Sequence, residues 1–346
     1  MGRRVLITGV ASFWGGRLAQ ALEANPDVDI IVGLDAVDPS MPLERTEFVR
    51  TDQHYSILAR IVRATQVDTN LHTFLVVDST RASNTRLHEI NVIGTMNLLA
   101  AAGAADSSVR HIVVKSSGLV YGSSWQDPAW FREELPRVNP ARSRVERSLV
   151  EVESYLRDFA EDNPHVLVTL IRFSNVVGTD IVTPITKALQ LPRVPSIMGF
   201  DPLVQFVEED DVIRAIEFAM DNEVGGVFNV AGDGRLPWSE VAAICGKRLA
   251  PMPPVLTEWA AAPLNLLGVE LPPELLDLLR YGRGMDNRRL KQAGFAYRYT
   301  SAGAVENFAR AIRLQRTVGG GRPDYHYEQD VEAFFRHSPA VVRDGG

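Results

Sequence analysis

The first fifteen residues constrain this chain most. A short apolar run, Val5-Leu6-Ile7, leads into Thr8-Gly9-Val10-Ala11-Ser12-Phe13-Trp14-Gly15, and Leu18, Ala21 and Leu22 then recur at helical spacing until Asn25-Pro26 stops them. Strand, glycine-bearing turn and helix in this order open a parallel α/β unit. Gly9 permits the tight turn, and the N–H groups at the helix start, helped by the helix dipole, suit a pyrophosphate. Gly15 lets helix and sheet approach closely. Asp35 ends the next strand twenty residues after Gly15, where a carboxylate accepts hydrogen bonds from adenosine ribose hydroxyls.

The expectation is a nicotinamide dinucleotide held by Gly9, Ser12, Phe13, Trp14, Gly15 and Asp35, with NAD favoured over NADP by the Asp35 carboxylate. Ser12 stands where a middle glycine is usual. Its side chain either crowds the pyrophosphate or donates a hydroxyl to it, and a chain that binds no dinucleotide at all is the reading that rests on this residue.

The alternation continues. Apolar or β-branched runs at Arg4–Thr8, Asp29–Leu34, Glu47–Arg50, Phe74–Asp78, His111–Ser117 and Val166–Phe173 predict strands. Gly15–Ala24, Ser56–Thr65, Leu87–Ala102 and Arg142–Glu161 have helical period. Strands that read as continuous apolar runs are covered by helices on both faces. The fold class is therefore α/β, a Rossmann-type doubly wound parallel sheet with a smaller, mostly helical C-terminal substrate domain. A proline-punctuated stretch runs from Pro184 to Pro202, before a helix near Asp211–Met220 and a strand at Val227–Val230. Residues 1–178 and 204–236 are assigned to the dinucleotide-binding domain, 179–203 and 237–316 to the substrate domain, and 317–346 to a tail after Gly319-Gly320-Gly321.

Composition excludes several classes. A net charge of −7 with scattered basic residues leaves no broad positive surface, so nucleic acid is not an expected partner. The longest apolar stretch, Gly94 to Ala105, carries Thr95 and Asn97 and is too short to span a membrane. Arg3 and Arg4 precede a run too short for a signal-peptide core, and the chain is read as cytoplasmic. The lone Cys245 permits no internal disulfide or multi-thiolate metal site and is read as an inert core thiol. The seven histidines are dispersed, so no metal is expected, and His111 at a strand start is read as structural.

Further motifs line up along the sheet: Asp52 after the third strand; Asn91-Val92-Ile93-Gly94-Thr95-Met96-Asn97-Leu98-Leu99; Ser116-Ser117-Gly118-Leu119-Val120-Tyr121-Gly122; and Arg172-Phe173-Ser174-Asn175-Val176-Val177-Gly178. In order and spacing the chain resembles the extended short-chain dehydrogenase/reductases, and within them the NAD-dependent epimerase/dehydratase family that includes UDP-glucose 4-epimerase. The resemblance runs from Arg3 to about Ile312. It implies Asp52 and Gln53 near the adenine, Val76 to Ser79 (with Val77 and Asp78) at the nicotinamide end, and further cofactor contacts from Asn91, Ser116 and Phe173. It also implies Ser117 as the catalytic serine that hydrogen-bonds a substrate hydroxyl, and Asn175 facing a sugar nucleotide.

The resemblance breaks in the next helix. The family carries a tyrosine there and, four residues later, a lysine that lowers the tyrosine pKa for proton exchange. The matching positions hold Val145 and Leu149, no tyrosine lies between Tyr121 and Tyr155, and no lysine lies between Lys115 and Lys187. Val145, Leu149, Val152, Leu156 and Phe159 share one apolar helix face, which predicts packing. Lys115, two residues before Ser117 and on its side of the strand, is the candidate replacement. Where the family places a diphosphate-binding arginine, this chain has approximately Val204, and Arg193, Arg280 and Arg283 are the candidates to compensate.

Two functions stay open. One is a nucleotide-sugar oxidoreductase or isomerase with a degenerate active site and a small-molecule substrate. The other is a non-catalytic NAD-binding sensor or complex subunit. By analogy with relatives, the helices at Leu87–Ala102 and Arg142–Glu161 predict a homodimer.

Overall fold

Uninterrupted apolar strands can bury both faces only beneath two layers of helices, and the chain builds that arrangement around one parallel sheet. The computed structural model describes residues 2–51, 54–78, 84–254 and 270–318. Asp52, Gln53, Ser79 and the tail from residue 319 lie outside the described residues.

The first half runs β1 (Arg3–Thr8), α1 (Phe13–Glu23), β2 (Val28–Asp35), β3 (Thr46–Arg50), α2 (Tyr55–Thr65), β4 (Thr69–His72), α3 (Asn84–His88), α4 (Gly94–Ala102), β5 (His111–Ser117), α5 (Arg144–Asp162) and β6 (Leu167–Phe173). It continues with β7 (Asn175–Val177), α6 (Pro184–Gln190), β8 (Arg193–Ile197), β9 (Leu203–Val204), β10 (Phe206–Glu208), α7 (Glu209–Asp221) and β11 (Gly226–Val230). The described remainder holds β12 (Leu236–Pro237), α8 (Trp238–Ile244), β13 (Arg248–Met252), α9 (Pro273–Tyr281), α10 (Arg288–Gln292) and α11 (Ser301–Val318).

Seven strands form the sheet in the order β11-β6-β5-β4-β1-β2-β3, each neighbouring pair parallel. The chain moves outward from β1 to β3 and then crosses back to β4 on the other side of β1. That reversal opens a crevice at the carboxyl ends of the strands, where ligands bind in such sheets. One core cluster joins residues of α2, α4 and α5 to one face, a second joins α1 and α7 to the other, and a third gathers Val177, Val194, Val204, Trp238, Leu279 and Phe308 with their neighbours.

Three sequence expectations need correction. The strand expected at Phe74–Asp78 lies earlier, at Thr69–His72. β1 ends at Thr8, which pairs with His72, so the ladder has no partner strand for Phe74 onward. The polar residues of β4 are nevertheless buried: Thr69 Oγ1 donates to Asp68 and His72 bonds Thr8 and Thr95, while the Asn70 amide has no hydrogen-bond partner among the described residues. Secondly, the helix expected at Leu87–Ala102 begins at Asn84 and contains a π-helical turn, Glu89–Ile93, closed by Gly94 N–H donating to the Glu89 carbonyl. Thirdly, the proline-punctuated stretch contains β8, which pairs in parallel with β13 despite Pro195 and Pro251, outside the main sheet. The free Pro195 carbonyl accepts the Trp238 indole N–H at 2.8 Å.

Two side-chain expectations hold. His111 is buried on Thr169, and burial pushes its pKa down to about 4. Cys245 is a buried free thiol, pushed up to about 11 by burial. No helix among the described residues is long and apolar enough to cross a membrane, and no metal-binding cluster occurs among them.

Candidate functional site

Ser12 answers the question its sequence position raised. It is the N-cap of α1, with φ −71°, a conformation that needs no glycine. Its hydroxyl donates to the Gly9 carbonyl at 2.6 Å and accepts from Gly15 N–H at 3.1 Å, so it closes the turn on itself. The flanking glycines are needed: Gly9 has φ +78°, and a Cβ on Gly15 would lie 2.1 Å from the Gly9 carbonyl oxygen. Beyond this turn the first N–H groups of α1 face the carboxyl edge of the sheet.

Asp35, at the end of β2, is buried against the same turn. Its Oδ2 accepts from Ala11 N–H at 3.0 Å and its Oδ1 from Ala36 N–H at 2.8 Å, which holds the carboxylate beside the turn. Arg50, opposite Asp35 in the β2–β3 pairing, turns its guanidinium to Asp38. The turn and carboxylate together form a donor and acceptor set that fits the pyrophosphate and adenosine ribose of a dinucleotide.

From the α1 start a cleft runs over the carboxyl ends of β5 and β6 towards α9. Phe13, Trp14, Val77, Asp78, Lys115, Ser116, Ser117, Phe173 and Asn175, all named from sequence, line it. Trp14 stacks parallel to Phe173 with ring centroids 6.3 Å apart, which makes a flat apolar wall. Ser117 ends β5, and its Oγ accepts from Leu119 N–H at 3.2 Å, capping a short 3₁₀ turn while its hydroxyl faces the cleft. Asn175 is anchored by donation from Nδ2 to the Gln205 carbonyl at 2.8 Å.

The side chains of Asn91 and Ser116 are engaged within the protein. The Asn91 side chain is fully buried: Oδ1 accepts from Val76 N–H at 2.8 Å, while Nδ2 donates to the Val76 carbonyl at 2.9 Å and to Ser148 Oγ at 3.0 Å. It clamps the Phe74–Asp78 segment and thereby sets where Val77 and Asp78 meet the cleft. The Ser116 hydroxyl donates to Glu153 at 2.7 Å, and Glu153 in turn accepts from Arg172. The buried carboxylate beside Arg172 raises the guanidinium pKa despite burial.

Val145 and Leu149 lie fully buried in the core on the α2, α4 and α5 face of the sheet, with Val152 and Leu156 on the same helix. Helix α5 begins with a capping box, Ser143 and Glu146 satisfying each other's end of the turn, so its register is set locally. Of the three compensating arginines, Arg193 is exposed and Arg280 reaches the Pro254 carbonyl. Arg283 lines the cleft, is buried, and donates from Nη1 to the Gly122 carbonyl at 3.2 Å. Burial pushes its pKa down to about 10. Arg283 pairs as an isolated parallel bridge with Val204, the position where an arginine was expected. Ile181, Thr183, Ile185, Glu274 and Leu275 complete the cleft and were not foreseen. They come from segments after Gly178 that carry no motif of their own.

A family model, the NAD dependent epimerase/dehydratase family, matches residues 5–231. An uncharacterized protein of Mycobacterium tuberculosis is 33% identical over 318 residues, covering 90% of this chain and 84% of that protein. The chain belongs to the NAD-dependent epimerase/dehydratase family. Among solved structures, UDP-glucose 4-epimerase of Thermotoga maritima with UDP-glucose superposes with a TM-score of 0.67 at 19% identity, covering 90% of this chain and 99% of that one. A dTDP-glucose 4,6-dehydratase from Bacillus anthracis in complex with NAD gives 0.68 at 18%, covering 91% and 98%. UDP-glucuronic acid 4-epimerase from Bacillus cereus with NAD gives 0.68 at 17%, covering 92% and 99%. At these identities the likeness shows the shared fold.

Proposed function

We propose that this chain binds NAD at the α1 turn and acts on a nucleotide sugar in the adjoining cleft, as an oxidoreductase or isomerase whose active site departs from the family pattern. The observation that carries the proposal is the convergence of Ser117, Asn175 and Arg283 on one cleft that begins at the α1 start. Bound NAD would supply reversible hydride transfer. Gly9, Phe13, Trp14 and Gly15 would hold its pyrophosphate, Asp35 its adenosine ribose. The Asp35 carboxylate would repel a 2′-phosphate, which favours NAD over NADP. Ser117 would orient the reacting hydroxyl. Arg283, bridged to Val204, would meet the diphosphate and supply the charge that Val204 lacks.

The test is incubation with NAD and UDP-glucose, UDP-galactose or related sugar nucleotides, following interconversion and cofactor reduction. Ser117→Ala is expected to lower turnover by about two orders of magnitude or more, and Arg283→Met to raise KM without weakening NAD binding. A wild-type rate no greater than that of Ser117→Ala sinks the enzymatic reading.

A second reading, NAD binding without turnover, is favoured by the burial of Val145 and Leu149 in the core. Tight NAD binding with no Ser117-dependent rate would select it. We further propose that the chain pairs as a homodimer through α4 and α5, where Met96 and Val150, with Ile93 of the π turn, are exposed large apolar residues.

A further inference from the structure

The cleft wall holds a buried lysine. Lys115 sits two residues before Ser117 on β5, so both side chains leave the same face of the sheet. It is 3% exposed, its Nζ donates to the Leu75 carbonyl at 3.3 Å, and it stands 5.9 Å from the Trp14 ring centroid. Leu75 belongs to the segment whose Val77 and Asp78 line the same cleft.

The residue type is itself informative. The chain has 36 basic residues but only four lysines, and its other three, Lys187, Lys247 and Lys291, are half-buried or exposed. Arginine keeps its proton at any working pH, whereas lysine can release it. A chain that otherwise uses arginine keeps its one buried lysine on the cleft wall.

The Asp78 and Glu274 carboxylates also line the cleft, whereas the groups that flank Lys115 on β4 and β5 do not offer the same chemistry. Thr95 Oγ1 donates to the Asn91 carbonyl, so it accepts from His72 Nε2–H, while His72 Nδ1 accepts from Thr8. This neutral imidazole is closed off by its two hydroxyls. The Ser116 hydroxyl is engaged with Glu153, and α5 presents Val145 and Leu149.

We propose that Lys115 is the proton-transfer group of this cleft, an inference that rests on the NAD-linked reading above. The neutral Lys115 amine takes the proton from the substrate hydroxyl that Ser117 orients. The O–H bond breaks as N–H forms, and the alcohol carbon becomes a carbonyl, its hydride passing to the NAD that the α1 turn would hold. In the return direction that hydride would come back to the carbon, and Lys115 gives the proton back to oxygen. The charged amine has no lone pair, so oxidation of the alcohol rises with pH along one limb.

The experiment compares the full-length wild type with Lys115→Met, which keeps an apolar stem, and Lys115→Arg, which keeps the charge but cannot accept the proton. NAD affinity and melting temperature are expected to change little in at least one variant. Turnover with sugar nucleotides is expected to fall by about a hundredfold or more in both, with the rising pH limb abolished. A readout independent of turnover uses lysine labelled with ¹⁵N: four signals are expected, and the one missing from Lys115→Met should titrate at the midpoint of the wild-type limb. If wild-type turnover is Ser117-dependent yet the Lys115 variants keep its rate or its pH limb, Lys115 is not the proton-transfer group. A Lys115 signal that titrates apart from the limb overturns the assignment too. If the wild type neither binds NAD nor turns over, the broader reading fails and takes this inference with it.

Discussion

A Cβ added to Gly15 would meet the Gly9 carbonyl oxygen at 2.1 Å, and backbone at that distance cannot yield as a side chain could. Gly15→Ala is therefore expected to lower stability by about 1–3 kcal/mol and to weaken NAD binding, read by chemical denaturation and calorimetric titration. Ser12→Gly removes only a cap in an already allowed conformation, with an expected cost of a few tenths of a kcal/mol and NAD binding retained. Near-equal loss of binding in the two variants would contradict this division of roles. The glycines were legible in the sequence because turn sterics are local. The inward turn of the Ser12 hydroxyl was not, since the sequence allowed it two outward roles.

At the scale of elements, the π turn Glu89–Ile93 carries Asn91, whose amide holds Val76 by both its N–H and its carbonyl. The periodicity marked a helix there but could not show that one turn is widened, because one extra residue per turn leaves little trace in an apolar pattern. The same limit misplaced β4. Apolar residues drew the expectation to Phe74–Asp78, whereas the sheet uses the polar Thr69–His72, in which His72 is buried on Thr8 and Thr95, partners distant in sequence. Helices α4 and α5 were recognisable from their period, and Met96 and Val150 on them are 40% exposed. Sedimentation is expected to show a dimer for the wild type and a monomer for Val150→Glu. An unchanged sedimentation coefficient would count against pairing through this face.

For the whole molecule, two histidines govern the acid side of stability. Burial is the main reason that His72 is pushed down to about 3 and His111 to about 4, from an ordinary 6.5. The unfolded chain takes up these protons near pH 6.5, while the folded chain refuses them until far lower pH. Their stabilising contribution is thus complete above pH 6.5 and declines as pH falls through 4 and then 3. Glu208, pushed up to about 7 mainly by burial, tilts the curve oppositely as pH rises from 4.5 towards 7. The His111 contribution is therefore read as the difference between wild type and His111→Gln in denaturant midpoints. That difference is expected to be constant above pH 6.5 and to shift against the wild type between 6.5 and 4. A difference independent of pH would show that His111 takes its proton equally in both states.

The parallel α/β order, the glycine turn with Asp35 at the next strand end, and the replacement of the family's tyrosine and lysine by Val145 and Leu149 were all legible in the sequence alone. Those features depend on local period and turn sterics, which a chain carries wherever it folds. Tertiary structure decided which charges share the cleft. Arg283 lies beside Val204 across 79 positions of chain, and Lys115 reaches the Leu75 carbonyl 40 positions away. No local pattern encodes such meetings. They follow from the packing of whole elements, which brings distant segments together at the carboxyl edge of the sheet.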